Sequence, residues 1–458
     1  MAPTDGSGYD LLIAGGAILT PAGLRNANLA VAGGVISAVM PAGARPAARE
    51  VVEAGGLHVL PALFDMHVHF REPGGTHKED FATGTAAAAV GGYSGVAEMP
   101  NTVPPTTTAA RLEEKRRRAE GRAHVDFALW GGAGRPDDVA ELARASAVGI
   151  KVYLGLDSGG ETHADAPDEL VVPDDAALAG IFEAAAEAGL VVAVHCGDRA
   201  LRNQVRDRWR GRGIDDLREE IAREPQLHKV QAVGRALALA ADVGARVHIV
   251  HVPAPALPLV RLAKDAGAKV TVESALPFMT HDLLDTAAEL GFDRYRSVAD
   301  ADALWAAARD GTVDVLATDH APHTIEEKRG GRRDLLAMPS GYPELDTALP
   351  MLLDAVNRDL LTLARLVELT GSGPRRILGV GGRGTIEAGE EANLVLVDLA
   401  RRATIDATRF QTRSRWSPYE GREVTGWPVA TYMRGVPIAR EGTPTGTSAR
   451  GRFLAPRA

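Results

Sequence analysis

The stretch that decides the fold is Pro61-Ala-Leu-Phe-Asp-Met-His-Val-His-Phe-Arg-Glu-Pro-Gly74. Its apolar start, Pro61–Phe64, predicts a short buried strand, and Pro73-Gly74 predicts the loop that follows it. Residues two apart on a strand share a face, so His67 and His69 should point the same way at the strand's carboxyl end. Two converging imidazoles favour a divalent metal such as zinc. Histidine pairs also occur in proteins without a metal, so this interpretation depends on the rest of the chain.

Apolar segments alternate with alanine-rich helical segments from residue 61 to residue 318. This rhythm is typical of βα units that build a parallel sheet. The eight predicted strands are Leu63–Phe70, Ser94–Met99, Val125–Trp130, Gly149–Leu154, Val191–Cys196, Arg246–Val252, Lys269–Glu273 and Val313–Thr318. The predicted helices between them include Thr83–Val90, Ala176–Ala188, Gln231–Val243 and Ala301–Arg309. Eight such units predict an α/β fold, a (β/α)8 TIM-like barrel.

Short strands separated by tight turns flank this barrel at both ends of the chain. Residues 10–60 contain several of them, and others follow residue 384, in Ala392–Asp398, Val429–Met433 and Val436–Ile438. We expect the two ends to meet in one small β-sandwich domain. Residues 1–60 would form its N-terminal part, residues 61–384 the barrel, and residues 385–458 its C-terminal part.

The composition argues against several classes of partner. Of the 458 residues, 45% are hydrophobic and 24% are charged, as in ordinary globular proteins. The net charge of −9 argues against nucleic acid or an anionic membrane as the main partner. No apolar run in the sequence approaches the ~20 residues of a membrane span. The amino terminus lacks the basic and apolar regions of a signal peptide.

The one cysteine in the sequence, Cys196, cannot form an internal disulfide and indicates a reducing, cytoplasmic location. Because Cys196 follows a histidine, its thiol could be a nucleophile. A small buried strand residue is the favoured interpretation of Cys196.

Polar side chains stand at the predicted carboxyl ends of several barrel strands, where the active sites of such barrels lie. In chain order they are His67, His69, Asn101, Lys151, His195, His248 or His251, and Asp319. One polar residue at a strand end is common, but five strands that each supply a residue of a metal-binding type are not. This clustering favours a metal centre over a set of structural histidines.

Each candidate ligand also has a structural explanation. His195 ends an apolar strand, where a buried, hydrogen-bonded histidine would fit. His248 and His251 are three apart and face opposite ways on a strand, so one of them enters the site. His251 is nearer the loop, which leaves His248 as a packed or supporting residue. Asp319 could cap the next segment, but a carboxylate there could also bind metal and act as the general base. Lys151 is the exception, since an ammonium group is repelled by metal cations.

Several motifs of the chain resemble the cyclic amidohydrolases, and the closest resemblance is to the dihydroorotases, followed by allantoinases and hydantoinases. These motifs are Asp65-Met-His-Val-His-Phe-Arg-Glu-Pro-Gly74, Met99-Pro-Asn-Thr102, Ile150-Lys-Val-Tyr153, Val194-His195, His248-Ile-Val-His251 and Ala317-Thr-Asp-His-Ala-Pro-His323. Two later segments resemble the family's carboxyl-terminal signatures, Gly384-Thr-Ile-Glu-Ala-Gly-Glu-Glu-Ala-Asn-Leu-Val-Leu-Val-Asp398 and Trp416-Ser-Pro-Tyr-Glu-Gly421. The resemblance therefore runs nearly from end to end.

The resemblance implies a hydrolase with two divalent metal ions, expected to be zinc. His67 and His69 would hold the buried ion, with Asp319 as a further ligand. His195 and His251 would hold the exposed ion. Lys151, converted by carbon dioxide into a carbamate, would bridge the two. Asp319 would take a proton from the attacking water and return it to the leaving nitrogen. The expected partner is a small cyclic amide, and a homo-oligomer (dimer or tetramer) is expected.

Three residues match positions that bind substrate in dihydroorotases. Arg71 and Asn101 match those that hold the substrate carboxylate, and the planar fork of an arginine suits that group. His323 matches a loop histidine that contacts the substrate ring. Alternatively, Arg71 pairs with the nearby acidic residues at positions 72, 79 and 80.

The chain also departs from the dihydroorotases in two segments. Pro277-Phe-Met-Thr-His281 stands where they have a Pro-His-His stretch, and Phe292-Asp-Arg-Tyr-Arg296 stands where they have Asn-Pro-Pro-Leu-Arg. His281 could partly replace the missing histidines or face solvent. The first expectation is a zinc-dependent, dihydroorotase-like enzyme of pyrimidine biosynthesis that interconverts dihydroorotate and N-carbamoyl-aspartate. The alternative is an allantoinase- or hydantoinase-like enzyme on a related ring, and the third is a catalytically silent structural homologue.

Overall fold

The helices and strands were located in a computed structural model, which describes residues 8–155, 167–280, 298–446 and 450–457. The strands are β1 (Tyr9–Thr20), β2 (Gly23–Ala32), β3 (Val35–Pro41), β4 (Ala48–Glu53), β5 (His58–Pro61), β6 (Leu63–Val68), β7 (Tyr93–Glu98), β8 (Asp126–Leu129), β9 (Gly131–Gly132), β10 (Ile150–Tyr153), β11 (Val191–His195), β12 (Arg246–Ile249), β13 (Val270–Ser274), β14 (Val315–Leu316), β15 (Leu394–Thr404), β16 (Glu423–Met433), β17 (Val436–Arg440) and β18 (Thr443–Pro444). The α-helices are α1 (Phe81–Val90), α2 (Ala109–Ala119), α3 (Asp137–Arg144), α4 (Asp175–Glu187), α5 (Arg199–Trp209), α6 (Ile214–Arg223), α7 (Leu227–Val243), α8 (Leu257–Asp265), α9 (Leu276–Met279), α10 (Val298–Asp310), α11 (Ile325–Arg329), α12 (Ala348–Asn357), α13 (Leu363–Val367) and α14 (Gly373–Leu378).

Strands β6 to β14 follow one another in two parallel runs, β6-β7-β8 and β9-β10-β11-β12-β13-β14. At one junction Val148 donates its backbone N–H to Leu129 at 3.0 Å, which continues the pairing from β8 towards β10. At the other, Val68 pairs in parallel with His320, just after β14. The strands therefore succeed one another around a ring, and the predicted (β/α)8 barrel is confirmed.

Alanine-rich helices can lie close to this ring because they carry little side-chain bulk. In α1, Asp80 caps the first turn by accepting from the backbone N–H of Thr83 at 2.9 Å, a strong helix-start signal. A side chain at Gly84 would meet the ring of Phe70 at 2.3 Å, so only glycine permits this close approach. The helix thus packs on the segment that follows β6.

The two ends of the chain share one nine-stranded sheet, ordered β18-β17-β16-β15-β5-β1-β2-β3, with β4 beside β1. Strand β5 joins them, because it pairs in parallel with β1 and antiparallel with β15. Side chains of β15 alternate between two cores: Leu394 and Leu396 pack within the sheet's own core, while Val395 and Val397 pack with the barrel core. This confirms the expected small β unit built from both termini.

Ala62 alone separates β5 from β6, so the small sheet leads directly into the strand that carries His67. Among the described residues, no helix is long and apolar enough to cross a membrane.

Candidate metal centre and active-site cavity

Three of the predicted ligands converge at the carboxyl ends of the barrel strands. His67 lies in β6, His69 follows it, and Asp319 follows β14; all three are buried. Their potential ligand atoms lie within 4.8 Å of one another. Oδ1 of Asp319 is 3.3 Å from Nε2 of each imidazole. Two nitrogens and a carboxylate in this arrangement suit a divalent metal ion.

The other ring nitrogen of each histidine bonds to an acceptor behind it. Nδ1 of His67 contacts Oε1 of Glu273, and Nδ1 of His69 lies 2.6 Å from Oδ1 of Asn101. Such acceptors fix the tautomer and leave Nε2 with its lone pair facing the metal position. Burial lowers the pKa of His69 to about 3, so this imidazole is neutral and able to bind a cation.

Three further candidates lie beside this group. Nδ1 of His195 is 3.1 Å from Nε2 of His251, and the rings of His251 and His67 are 6.1 Å apart. Lys151, which is 1% exposed, lines the same cavity. Burial lowers the pKa of Lys151 to about 8, although the carboxylates of Glu273 and Asp319 oppose that shift. A larger fraction of this amine is therefore uncharged near neutral pH than in an ordinary exposed lysine.

Local backbone conformation places several of these side chains. Arg71 (φ 58°), His251 (φ 38°) and Asp319 (φ 49°) are in the left-handed region, which non-glycine residues enter at ~1–3 kcal/mol each. Because β12 ends at Ile249, His251 reaches the cavity through this turn rather than through strand alternation. Residues held in this way are typical of functional sites, where surrounding contacts fix them.

Glu273 is a supporting residue that the sequence analysis missed. It is 1% exposed and accepts hydrogen bonds from Nδ1 of His67, from Nε2 of His248 at 3.0 Å and from the backbone N–H of His251 at 3.3 Å. Burial opposes its ionisation, but His67 and His248 outweigh that effect and hold the pKa of Glu273 below its usual value. The available signal was a single charged residue at the carboxyl end of the otherwise uncharged strand β13. His248 is buried, with Nδ1 2.9 Å from Oγ1 of Thr271.

Arg71 and Asn101 line the cavity, whereas His323 is buried and bonds to Arg71. The Arg71 guanidinium donates to Nε2 of His323 at 2.9 Å and to the backbone oxygen of Pro322 at 3.3 Å. Nδ1 of His323 lies 3.0 Å from the Lys78 ammonium. The structure therefore places His323 where it orients Arg71.

The acidic residues considered as partners of Arg71 bond to other groups. Glu72 pairs with Arg122 at 2.7 Å, Glu79 accepts from Thr412 at 2.5 Å, and Asp80 pairs with Arg413. These three pairs hold the segments around α1 together.

The candidate ligands open onto a cavity of about 230 Å³. Its other walls come from Tyr153, from helices α5 and α6, from the start of α7 and from residues 335–341. Cys196 also lines it, and burial raises the pKa of the thiol to about 12, which keeps it protonated. In the first segment where the chain departs from the dihydroorotases, residues 277–280 are described and Phe278 lines the cavity, whereas His281 and the second segment, residues 292–296, lie outside the described residues.

Comparison with known proteins agrees with this geometry. The model of the amidohydrolase family matches residues 58–438. An allantoinase of Deinococcus radiodurans is 34% identical over 457 residues, covering 98% of this chain and 99% of the relative. A dihydroorotase of Halobacterium salinarum is 34% identical over 388 residues, covering 83% and 86%. The solved structure of an L-hydantoinase (dihydropyrimidinase) from Arthrobacter aurescens superposes with a TM-score of 0.89, at 30% identity, covering 98% of this chain and 100% of that one.

Proposed function

The chain belongs to the amidohydrolase family, and we propose that it opens a five-membered cyclic ureide, as an allantoinase or a hydantoinase does. That the enzyme is a cyclic amidohydrolase follows from its named relatives. The identity of the ring that the enzyme opens is what we propose. The allantoinase and the hydantoinase match 98% of this chain, whereas dihydroorotases match between 83% and 94% of it at a similar identity. This balance favours the ureide over dihydroorotate, the substrate expected first from the sequence.

The observation that supports hydrolysis of a ring amide is the convergence of His67, His69 and Asp319 on one cavity, with the His195–His251 pair beside them. Such a group of imidazoles and a carboxylate at the carboxyl ends of barrel strands is what hydrolysis of an unreactive amide requires.

The donor set fits two divalent metal ions, with zinc as the expected metal because imidazole and carboxylate ligands suit it. His67, His69 and Asp319 would hold one ion, and His195 and His251 the other. Lys151, if carboxylated by carbon dioxide, would supply a bridging anion, for which its lowered pKa provides the neutral amine. When bound, such ions lower the pKa of water towards neutrality and polarise the carbonyl group under attack.

The side chains divide the remaining chemistry. Asp319 faces the cavity and is placed to accept the proton of the attacking water. As the water oxygen bonds to the ring carbonyl carbon and the carbon–nitrogen bond breaks, Asp319 returns that proton to the leaving nitrogen. Arg71 and Asn101 line the same cavity and would orient the ring. The products are the carboxylate and the ureido group of an opened ring.

One observation supports dihydroorotate as a second candidate. Arg71 lines the cavity with its guanidinium fixed by Pro322 and His323, a suitable arrangement for a substrate carboxylate. Hydantoin and allantoin carry no carboxylate, so this arginine would have to bind their ring oxygens instead.

A substrate panel tests the proposal. Protein supplied with Zn²⁺ and bicarbonate is assayed with hydantoin, allantoin, dihydroorotate and dihydrouracil, and its metal content is measured by elemental analysis. We expect two metal ions per chain and a kcat/KM for a hydantoin ring at least tenfold above that for dihydroorotate. Asp319→Asn is the control for contaminating activity. Preference for dihydroorotate would favour the second candidate, and metal-loaded protein inactive on every ring would point to a silent homologue.

A further inference from the structure

His320, the residue after Asp319, is buried and does not line the cavity. Nδ1 of its ring accepts hydrogen bonds from the backbone N–H groups of Glu344 at 3.0 Å and Leu345 at 3.2 Å. A neutral imidazole has one donor and one acceptor nitrogen, so its proton is on Nε2. Nε2 lies 3.3 Å from Oε2 of Glu79, which accepts this N–H. Both ring nitrogens therefore have partners, and these partners fix the tautomer of the ring.

The backbone around Asp319 is held on both sides. On one side the carbonyl of His320 accepts from the N–H of His69 at 2.7 Å, and the N–H of His320 donates to Oγ1 of Thr318 at 3.0 Å. On the other side the N–H of Thr318 donates to Oδ2 of Asp65 at 3.1 Å. Asp319 lies between them with a φ of 49°, a left-handed conformation that persists only where surrounding contacts fix it. These contacts therefore determine where the carboxylate of Asp319 points.

Glu79, which binds the His320 ring, is itself fixed by the small β unit. It is 0% exposed. Oε2, the oxygen that binds the ring, also accepts from Oγ1 of Thr412 at 2.5 Å and from the backbone N–H of Arg413 at 3.3 Å. These two residues lie between β15 and β16, in the chain that forms the small sheet. A series of contacts therefore runs from this segment through Glu79 and His320 to the backbone of Asp319.

The carboxylate at the end of this series has to be placed accurately. Oδ1 of Asp319 is 3.3 Å from Nε2 of His67 and from Nε2 of His69. A general base works only within hydrogen-bond reach of the proton that it accepts. A displacement of ~1 Å, even one caused by a change far from the reacting atoms, can lower the rate by ~100-fold. Because such a displacement affects the transition state more than the binding of the ring, kcat should fall while KM changes little.

We propose that His320 is a positioning residue for the general base Asp319, and that Thr412 of the small β unit holds His320 in place through Glu79. All candidate metal ligands lie in the barrel, so the small β unit would support the reaction from outside the active site. The inference rests on the proposed role of Asp319 and applies to whichever ring the enzyme opens.

The first test is Thr412→Val, which removes the hydroxyl and keeps the shape of the side chain. On the ring that wild-type enzyme opens fastest, kcat per metal-loaded enzyme should fall by ~10-fold and KM should stay within about twofold. Thr370→Val is the matched control, because Thr370 is also buried but donates its hydroxyl to the backbone oxygen of Leu366 at 2.8 Å, one helical turn earlier. It should leave both constants unchanged. An equal fall in kcat in the two variants would show a general loss of packing and overturn the inference.

Variants of His320 add a measurement that does not depend on turnover. His320→Leu removes both ring contacts, so the dissociation constant for Zn²⁺, measured by chelator competition with metal-free protein, should rise by ~10-fold and kcat should fall by ~100-fold. His320→Asn keeps an acceptor oxygen for the N–H groups of Glu344 and Leu345 and should recover part of both losses. Wild-type kcat and zinc affinity in folded His320→Leu protein would overturn the inference. If His320→Leu does not fold, the comparison of Thr412→Val with Thr370→Val decides.

The outcomes separate this inference from the function on which it rests. If Asp319→Asn abolishes turnover but Thr412→Val and His320→Leu match wild-type enzyme, the inference is refuted and the proposed function stands. If metal-loaded wild-type protein opens no ring of the panel, the proposed function fails. The zinc dissociation constant of His320→Leu then still decides whether His320 positions Asp319, since an unchanged constant would refute that role and a raised one would support it.

Discussion

The substitution Glu273→Gln should weaken divalent-metal binding, because this carboxylate orients one of the candidate ligands. Its two oxygens accept from Nδ1 of His67 and from Nε2 of His248, the latter at 3.0 Å. A glutamine side chain offers one acceptor oxygen and one NH2 donor. One of the two imidazoles must then lose its acceptor or change tautomer, and in His67 a change of tautomer removes the lone pair from Nε2.

Two estimates of the size of this effect agree. Loss of one hydrogen bond to a charged group costs ~1.5–3 kcal/mol. Loss of the hydrogen-bond acceptor behind a metal-binding histidine weakens metal binding by ~10–100-fold, which corresponds to about 1.4–2.8 kcal/mol. We therefore expect the dissociation constant for Zn²⁺ to rise by ~10–100-fold in Glu273→Gln. Competition with a chromophoric chelator, starting from metal-free protein, measures this constant directly.

Glu98→Gln is the matched control. Glu98 is a buried carboxylate at the end of β7, but it pairs with Lys115 rather than with a histidine. Breaking this buried ion pair should lower the free energy of unfolding by ~3–5 kcal/mol and leave the affinity for Zn²⁺ unchanged. An unchanged zinc dissociation constant in folded Glu273→Gln protein would refute the orienting role of Glu273.

Four other side chains give separate predictions. Lys151→Ala should lose one or both metal ions and most activity, with partial recovery in small carboxylic acids such as acetate. Elemental analysis measures the metal content and a turnover assay measures the activity. Wild-type activity in this variant would contradict a bridging role. Asp319→Asn should keep its circular dichroism spectrum but lose ~10²–10⁴-fold in kcat, because the proton acceptor is gone. An active variant would show that another residue is the general base. Arg71→Ala should lower kcat/KM for dihydroorotate at least tenfold and that for hydantoin little, since a charge-assisted bond is worth ~1.5–3 kcal/mol; equal losses would refute a carboxylate clamp. Burial raises the pKa of Asp346 to about 7, so the folded state binds this proton more tightly than the unfolded chain, and the free energy of unfolding should fall as pH rises from about 4 to about 7. Denaturant titrations across this range should show a flatter profile for Asp346→Asn, and an identical slope would argue against this assignment.

The barrel strands could be predicted from the sequence because strands of a closed parallel barrel are buried on both faces. Each then reads as a continuous apolar run, as Val191–Val194 does in β11. The ends of these strands were less predictable. Strand β14 is Val315–Leu316 rather than Val313–Thr318, and the chain then turns so that Asp319 adopts a left-handed backbone. Apolar periodicity carries no information about such a turn.

The candidate ligands could be proposed because the carboxyl ends of parallel strands meet at one edge, whatever the distance in sequence between them. Their supporting partners could not. His67 and Glu273 are 206 residues apart, and their contact depends on where β6 and β13 stand in the ring. Asn101 is a similar case: its match suggested a substrate contact, while its side-chain oxygen bonds to His69.

Substrate choice was the least predictable property, and the structure indicates the reason. The motifs that support the resemblance surround the candidate metal ligands, which any ring amide would need. The walls that would distinguish one ring from another come from α5, α6, the start of α7, Phe278 and residues 335–341, outside every one of those motifs. Arg71 lies inside one of those motifs, yet it lines the same cavity and would bind a substrate carboxylate. Measuring Arg71→Ala on dihydroorotate and on hydantoin therefore separates recognition of a substrate carboxylate from recognition by the helical walls. An enzyme for dihydroorotate should lose activity when Arg71 is truncated, and a variant that keeps its activity and its preference among the rings would place substrate selection in the remaining walls of the cavity.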